Sequence, residues 1–335
     1  MRYNREKNCE YICLNRQKGE NMGKVNPKFI GLSQYKAPFT FDLAGKHFHL
    51  VMDDGSELSL NFLDGENVQI AEKGQPYIWE TYECMKGDET TYFVHVQPTE
   101  GKGLINKSWI LDTEQRLVTY VLMEEGYDPE YPRLIRVEPF FGAIKVPGRE
   151  LPKIRHHLSK RLVGRHIYWR YNPGFRIQHI YHSPTVVRAN LGPDTGFVDE
   201  NELFKELLES PDPEKRAEGE KKLQHFKEWR KLYPFYEEEC FHVWIKENMN
   251  VFCFVEENAN RLDPERHSGG GGILLLQEID RLTDVGLCFS AGEYYMITAL
   301  GDMVEDPDPL DETPSPYDFS HFDAMPTVHR EIPEE

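Results

Sequence analysis

The feature that most constrains this fold is an internal repeat. The run LAGKHF at Leu43–Phe48 recurs without a gap as LVGRHI at Leu162–Ile167. Continued in the same register, Phe62 corresponds to Tyr181. Two copies are too few for a solenoid, so the repeat predicts one supersecondary plan that is used twice.

Two shorter echoes extend the repeat along the chain. Glu83-Cys84 recurs as Glu239-Cys240, and Arg116-Leu117 recurs as Arg281-Leu282, although the gaps between these pairs differ. We therefore expect the second copy to follow the first through later strands, with insertions between them.

The segments between turns have the pattern of short strands. Phe48–Met52 and Leu58–Leu63 flank Asp53-Asp54-Gly55, where glycine allows the positive φ of a tight hairpin. Similar short runs of β-branched and aromatic residues follow at the spacing of a meander. The sequence predicts a mainly β protein with two tandem antiparallel β-barrels.

The second copy carries an insertion that has no counterpart in the first. Its apolar residues Leu203, Phe204, Leu207 and Leu208 have helical spacing, and a charged helix is predicted to run toward Trp229. The predicted organisation is a weakly ordered tail (1–38), a first barrel (39–128), a linker (129–160), a second barrel (161–304) with a helical insertion (199–232), and an acidic, proline-rich tail (305–335). Met22 is an alternative start, so translation of the residues before it stays open.

Composition limits the classes of partner. The net charge of -18 disfavours a nucleic-acid partner, because the phosphate backbone is also negative and no compact basic stripe is present. No window reaches the roughly 18 to 20 apolar residues of a membrane-spanning helix, and no apolar secretory leader is evident. The six cysteines have no CxxC spacing, so free thiols and a cytoplasmic location are expected.

The repeat provides an internal control for candidate functional residues, because matched strand positions should face the same way. Six positions in the opening hairpin of the first copy are predicted to face the barrel interior, and all six are apolar. They are Phe48, Leu50, Met52, Leu58, Leu60 and Phe62, and their counterparts are Ile167, Trp169, Tyr171, Ile177, His179 and Tyr181. The second copy therefore replaces aliphatic side chains with aromatic ones that carry polar groups.

Polar groups in a barrel interior need hydrogen-bond partners, and a cavity with water or a polar ligand would supply them. We predict Trp169, Tyr171, His179 and Tyr181 as pocket residues. Arg188 and Glu256, on later strands, are the predicted charged members. The alternative is an ordinary core in which these groups bond to one another or to the backbone, and the sequence does not separate the two.

Metal and covalent chemistry are not predicted. His179 and His182 are three residues apart, which places them on opposite faces of a strand. The glycine run Gly269–Gly272 precedes a strand, so it predicts a hairpin loop and not a phosphate-binding loop. No cofactor is expected.

Several motifs resemble a known family. Phe141-Gly142-Ala143-Ile144, Leu162-Val163-Gly164-Arg165-His166, Trp169-Arg170-Tyr171 and His179-Ile180-Tyr181 are similar to segments of molybdenum cofactor biosynthesis protein F (MoaF). The resemblance would cover Phe39 to about Val304. It implies tandem calycin-like (lipocalin-like) barrels and a link to molybdenum cofactor metabolism.

A more distant resemblance concerns the run Trp169–Phe175, which is similar to the opening hairpin of phenolic acid decarboxylases. In that family paired tyrosines hold a substrate carboxylate and a glutamate transfers protons. The resemblance carries over to Tyr171, while Trp169 replaces the first tyrosine. It leaves Glu256 and Glu257 as loose candidates for the acid.

These observations leave several hypotheses about function open. The leading one is a protein that binds a small aromatic or carboxylated metabolite in the second barrel, either as a binder or as a cofactor-independent lyase that uses Tyr171, His179 and Glu256. The rivals are a noncatalytic carrier or accessory factor linked to molybdenum cofactor metabolism, and a scaffold whose inserted helices bind another protein. The ligand, the reaction and homodimer formation stay open.

Overall fold

The fold is described from a computed structural model. It describes residues 39–96, 105–125, 135–172, 175–190, 197–198, 201, 204–232, 235–257, 271–290 and 293–307. The predicted tail 1–38 and residues 308–335 of the second tail lie outside the described residues.

The first half of the chain is a closed antiparallel barrel in which each strand pairs with the next. Its strands are β1 (His47–Met52), β2 (Glu57–Phe62), β3 (Asn67–Glu72), β4 (Ile78–Lys86), β5 (Thr91–Val96), β6 (Ile105–Asp112), β7 (Leu117–Glu125) and β8 (Ile135–Lys145). Pairing of β1 with β8 closes the ring. The predicted linker 129–160 is therefore wrong over Ile135–Lys145, because this segment is the closing strand of the barrel.

The second half repeats this plan. Its elements are β9 (His157–Leu158), β10 (His166–Asn172), β11 (Phe175–Ser183), β12 (Val186–Asn190), β13 (Phe197–Val198), α1 (Lys205–Leu208), α2 (Pro213–Leu232), β14 (Phe235–Lys246), β15 (Met249–Val255), β16 (Gly271–Glu278), β17 (Thr283–Ser290) and β18 (Glu293–Glu305). The ring runs β10, β18, β17, β16, β15, β14, β12, β11 and closes where β10 pairs with β11. The predicted fold class, two tandem calycin-like barrels with a helical insertion in the second, is confirmed.

Two short strands lie outside the ring, since β9 pairs with β14 and β13 pairs with β11. The helices α1 and α2 lie between β12 and β14 and fall within the predicted insertion 199–232. Gly271 and Gly272 belong to β16, and the rest of the predicted glycine loop lies outside the described residues.

The turn that precedes each barrel has the same hydrogen bonds in both copies. The N–H of Gly45 donates to the carbonyl of Phe62 at 2.7 Å, and the N–H of Gly164 donates to the carbonyl of Tyr181 at 2.8 Å. Both glycines have left-handed backbone, with φ of 75° and 87°, which disfavours any other residue there. The repeated LxGxH run therefore encodes a turn that fixes the register of the opening hairpin.

Strand pairing extends the match around the whole ring. Leu111 pairs with Val118 across β6 and β7, and Gln277 pairs with Asp284 across β16 and β17 at the same distance from the connecting turn. That turn contains a non-glycine residue of positive φ in each barrel, Arg116 and Leu282. The predicted alignment of Arg116-Leu117 with Arg281-Leu282 is thus wrong by one residue.

The same pairing corrects the predicted match of the cysteines. Tyr92 pairs with Lys86 and Leu111, while Asn250 pairs with Trp244 and Gln277. Lys86 therefore matches Trp244, and two residues earlier Cys84 matches His242. The predicted match of Cys84 with Cys240 is wrong.

The two barrels pack against each other through their outer faces. One apolar cluster joins side chains of β5 to β8, such as Phe93 and Val137, with side chains of β14 to β18, such as Phe241 and Leu287. Each barrel interior forms a separate apolar cluster. Lys246 adds an ion pair across the interface, 2.9 Å from the Asp88 carboxylate. In the part of the chain that the structure describes, no helix is long and apolar enough to cross a membrane.

Candidate ligand-binding site

The predicted aromatic residues of the second barrel do face its interior. Trp169 on β10 and Tyr181 on β11 are wholly buried, and His179 and Tyr171 are nearly so. These side chains pack with the apolar cluster inside the barrel, because alternate residues of each strand point inward. The predicted orientation of the four is confirmed, while their role in binding stays a prediction.

A hydrogen-bond network crosses this interior. The indole Nε1 of Trp169 donates to the hydroxyl of Tyr181 at 3.1 Å, and that hydroxyl lies 3.2 Å and 3.1 Å from the side-chain oxygen and nitrogen of Gln277. Burial raises the pKa of Tyr181, so its hydroxyl keeps its proton. Three strands are therefore joined inside the barrel by neutral polar groups.

Four further inward polar residues were missed by the sequence analysis: His242 on β14, Asn250 on β15, Gln277 on β16 and Asp284 on β17. All four are buried. Their first-barrel counterparts are Cys84, Tyr92, Leu111 and Val118. A comparison of the copies beyond the opening hairpin could have found them, but the unequal gaps hid the register.

Several buried polar atoms in this interior have no hydrogen-bond partner among the described residues. They are Nδ1 of His179, Nδ1 of His242, Nδ2 of Asn250 and Oδ2 of Asp284. Buried polar groups in folded proteins are usually paired with protein or with ordered water. Among the described residues that face the interior of the first barrel, Nε1 of Trp109 is the buried polar atom without a hydrogen-bond partner.

Asp284 is the most unusual of these residues, because it is a carboxyl group that is only 1% exposed. Its Oδ1 accepts a hydrogen bond of 2.5 Å from the N–H of Ala299 on β18. Burial raises the pKa of Asp284 from 3.8 to about 7, which the Ala299 hydrogen bond opposes. The side chain thus titrates near neutrality inside the barrel.

His179 lies among aromatic rings. Its ring centroid is 5.5 Å from that of Phe252, 5.8 Å from that of Phe254 and 6.1 Å from that of Tyr181. Burial lowers the pKa of His179 to about 3, so the imidazole is neutral and a weak base at neutral pH. This environment suits packing and hydrogen bonding better than proton transfer.

Of the two predicted charged members, Arg188 points away from this network. Arg188 lies on the outer face of β12, where its guanidinium is 3.7 Å from the ring centroid of Phe235 and its Nε donates to Asn190 at 3.1 Å. The prediction that Arg188 faces the pocket is wrong, because its strand neighbours Val187 and Ala189 are the inward residues.

Glu256 follows the last residue of β15, and its backbone N–H donates to the carbonyl of Gly271 at 2.7 Å. Its charge contributes to the raised pKa of Cys288 and Tyr295. These residues lie toward the barrel end where β15 finishes and β16 begins. The catalytic role of Glu256 stays a prediction.

A pocket of about 270 Å³ opens at the other end of the second barrel. Its lining residues are Arg161, Arg165, Asn248, Ile279, Asp280, Leu282, Met303 and Asp306. Ile279, Leu282 and Met303 also pack against the inner apolar cluster, so the pocket floor is the end of the barrel interior. The Arg165 guanidinium is paired with Asp306 at 2.7 Å.

In the described part of the chain, no three histidine, cysteine or acidic side chains are grouped so that they could hold a metal ion. Inside the second barrel, Sγ of Cys240 lies 3.5 Å from Nε2 of His242. Burial raises the pKa of this thiol, which therefore stays protonated.

The fold and the interior together define a protein of tandem calycin-like β-barrels with unequal inner faces. Residues 22–124 match the family model of the MoaF N-terminal domain. The resemblance to MoaF is confirmed for these residues, although the motifs that indicated it lie further along the chain. The resemblance to phenolic acid decarboxylases stays a prediction.

Comparison with individual proteins adds little. No curated protein matches the chain. A solved structure described as "a putative beta-lactamase from Burkholderia vietnamiensis" is similar at 16% identity, with a TM-score of 0.26 and coverage of 31% of this chain and 93% of that chain. At that TM-score the similarity bears on neither the fold nor the chemistry of this protein.

Proposed function

We propose that the protein binds a small aromatic metabolite in the second barrel, as a carrier or binding protein. The observation that supports this most is the matched change of inner residues, in which apolar side chains of one barrel become hydrogen-bonding side chains in the other. The first barrel closes an equivalent ring with Leu111 and Val118 at the positions of Gln277 and Asp284, so closure does not require these two polar groups.

The geometry favours binding over the predicted lyase activity. A general base works best when its pKa lies near the operating pH, and the pKa of His179 is far below neutrality. Asp284, with a pKa of about 7, is better suited to proton transfer than His179. If the barrel is an enzyme, we therefore propose Asp284 as its acid or base. A link to molybdenum cofactor metabolism rests on the family resemblance alone.

The test is native mass spectrometry of the full chain purified from its own host, followed by titration with the neutral aromatic probes indole and p-cresol. We expect a retained small molecule or saturable binding of a probe. Gln277→Leu, which installs the first-barrel residue, should abolish either signal. Tyr82→Phe in the first barrel is the control and should leave it unchanged.

The proposal fails if the wild-type chain retains no molecule and binds neither these probes nor an aromatic amine. It also fails if Tyr82→Phe removes the signal as completely as Gln277→Leu, because the site would then not lie in the second barrel.

A further inference from the structure

The interior of the second barrel contains a buried carboxyl group with one unpaired oxygen. Asp284 is 1% exposed and its Oδ2 has no hydrogen-bond partner among the described residues. The groups that face it are the hydroxyls of Tyr171 on β10 and Tyr181 on β11, and Gln277, its cross-strand partner on β16. None of these is a cation, and a buried carboxylate is strongly disfavoured without one.

Arg161 and Arg165 line the pocket at the barrel end, and no described cation contributes to the pKa of Asp284. Arg165 is already paired with Asp306, and Arg161 lines the pocket without reaching Asp284. A ligand that carries a carboxylate would therefore meet a second acid in this interior. A ligand that carries an ammonium group would supply the missing charge and donate to Oδ2.

The pocket lies next to this part of the interior, although Asp284 is not among its lining residues. At the ends of three adjacent strands, β15 to β17, three pocket-lining residues each lie two positions from an inward polar residue: Asn248 from Asn250, Ile279 from Gln277, and Leu282 from Asp284. The pocket therefore borders the polar layer formed by Asn250, Gln277 and Asp284. Its floor of Ile279, Leu282 and Met303 is apolar and suits a hydrocarbon or aromatic body.

We infer that the second barrel takes a small amine, with its apolar body against the pocket floor and its ammonium group paired with the Asp284 carboxylate. This inference rests on the proposed function and names the class of its ligand. The sequence predicted an aromatic or carboxylated metabolite, and we propose an amine in place of the carboxylated alternative.

Binding of an amine should change the protonation of Asp284. Burial raises the pKa of this carboxyl to about 7, so below that value the free protein holds a proton on it. The ammonium group stabilises the carboxylate, and the proton is released to solvent as the amine binds. Binding should therefore strengthen as the pH rises through this value.

The test is calorimetric titration of the full chain with three ligands that share one ring: 2-phenylethylamine, 2-phenylethanol and 3-phenylpropanoate. One pH unit above the Asp284 pKa, the amine should bind about tenfold to a hundredfold more tightly than the alcohol, as expected for a hydrogen bond to a charged group. The carboxylate should bind worst. Asp284→Asn should remove the preference for the amine, whereas Asp302→Asn, which changes an exposed ion pair with Arg170 on the outer surface, should keep it.

A second measurement does not depend on the folding of a variant. One unit below the pKa, titration of wild-type protein in two buffers of different ionisation enthalpy should reveal release of about one proton per amine bound. Equal affinity for amine and alcohol, or no proton release, would overturn the inference and leave aromatic binding in place. Failure of all three ligands and of the neutral probes would instead remove the proposed function.

Discussion

The two barrels share one hydrogen-bond register but differ in what they enclose. In the first, the matched pair Leu111 and Val118 belongs to an apolar interior, where Trp109 stacks on Tyr120 with ring centroids 5.2 Å apart. In the second, the same pair is Gln277 and Asp284. Because the first barrel closes an equivalent ring with two apolar residues here, the polar pair of the second barrel is not required by the fold.

The outer faces of the two barrels, unlike their interiors, are similar in character. Both barrels place apolar side chains such as Phe93 and Leu287 on the strands that meet at the shared interface. Duplication has therefore kept the surface by which the halves associate, while the enclosed surface of one half has changed. That division fits a protein in which one barrel is mainly structural and the other carries the site.

The largest expected effect comes from Asp284→Val, which installs the first-barrel residue. Burial raises the pKa of Asp284 from 3.8 to about 7, so between these values the folded protein holds a proton that the unfolded chain has lost. The free energy of unfolding should therefore fall as the pH rises from 3.8 to 7. At about 1.4 kcal/mol per pKa unit, this decline amounts to about 4 kcal/mol.

Urea denaturation across this pH range measures the effect as the difference between variant and wild type. We expect the variant to gain relative stability as the pH rises. Asp302→Asn should track the wild type. Parallel curves for Asp284→Val and the wild type would contradict the assigned burial of this carboxyl.

The sequence predicted the duplicated fold because the LxGxH turn and the opening hairpin are local. It failed where pairing is distant in sequence. The strand Ile135–Lys145 contains Pro139 and Gly142, which are typical of a linker, and only its pairing with β1 reveals the closing strand.

The sequence predicted only those residues of the candidate site that lie close to the repeated turn. Trp169, Tyr171, His179 and Tyr181 lie in the hairpin that aligns without gaps. Asp284 lies beyond the helical insertion, where the unequal gaps shifted the alignment by one residue. Its chemistry depends on burial, which no local pattern specified.

A smaller effect is expected from Tyr181→Phe, again toward the first-barrel residue. Loss of the hydroxyl leaves Nε1 of Trp169 and the amide of Gln277 without their shared partner inside the barrel. Leaving two buried groups unpaired should lower the free energy of unfolding by about 2 to 4 kcal/mol. Tyr82→Phe in the first barrel removes one hydrogen bond, to the carbonyl of Asp64, near the surface.

We expect the Tyr82→Phe change to cost about 1 kcal/mol, which is typical of a single hydrogen bond. Chemical denaturation of both variants at one pH gives the comparison. Equal losses would mean that the Trp169–Tyr181–Gln277 network is no more than an ordinary core contact, and the contrast between the two interiors would weaken.

The smallest effect should come from Arg188→Gln. This substitution tests whether a residue on the outer face of β12 contributes to binding. The guanidinium is about a third exposed, stacks on Phe235 and lies 3.9 Å from the Glu237 carboxylate. Exposed pairs of this kind contribute about 0 to 1 kcal/mol, so the unfolding free energy should change little. Binding of any ligand in the barrel should not change, because Val187 and Ala189 on either side are the inward residues. A large loss of binding in Arg188→Gln would place a cation inside the site and would favour a carboxylated ligand over an amine.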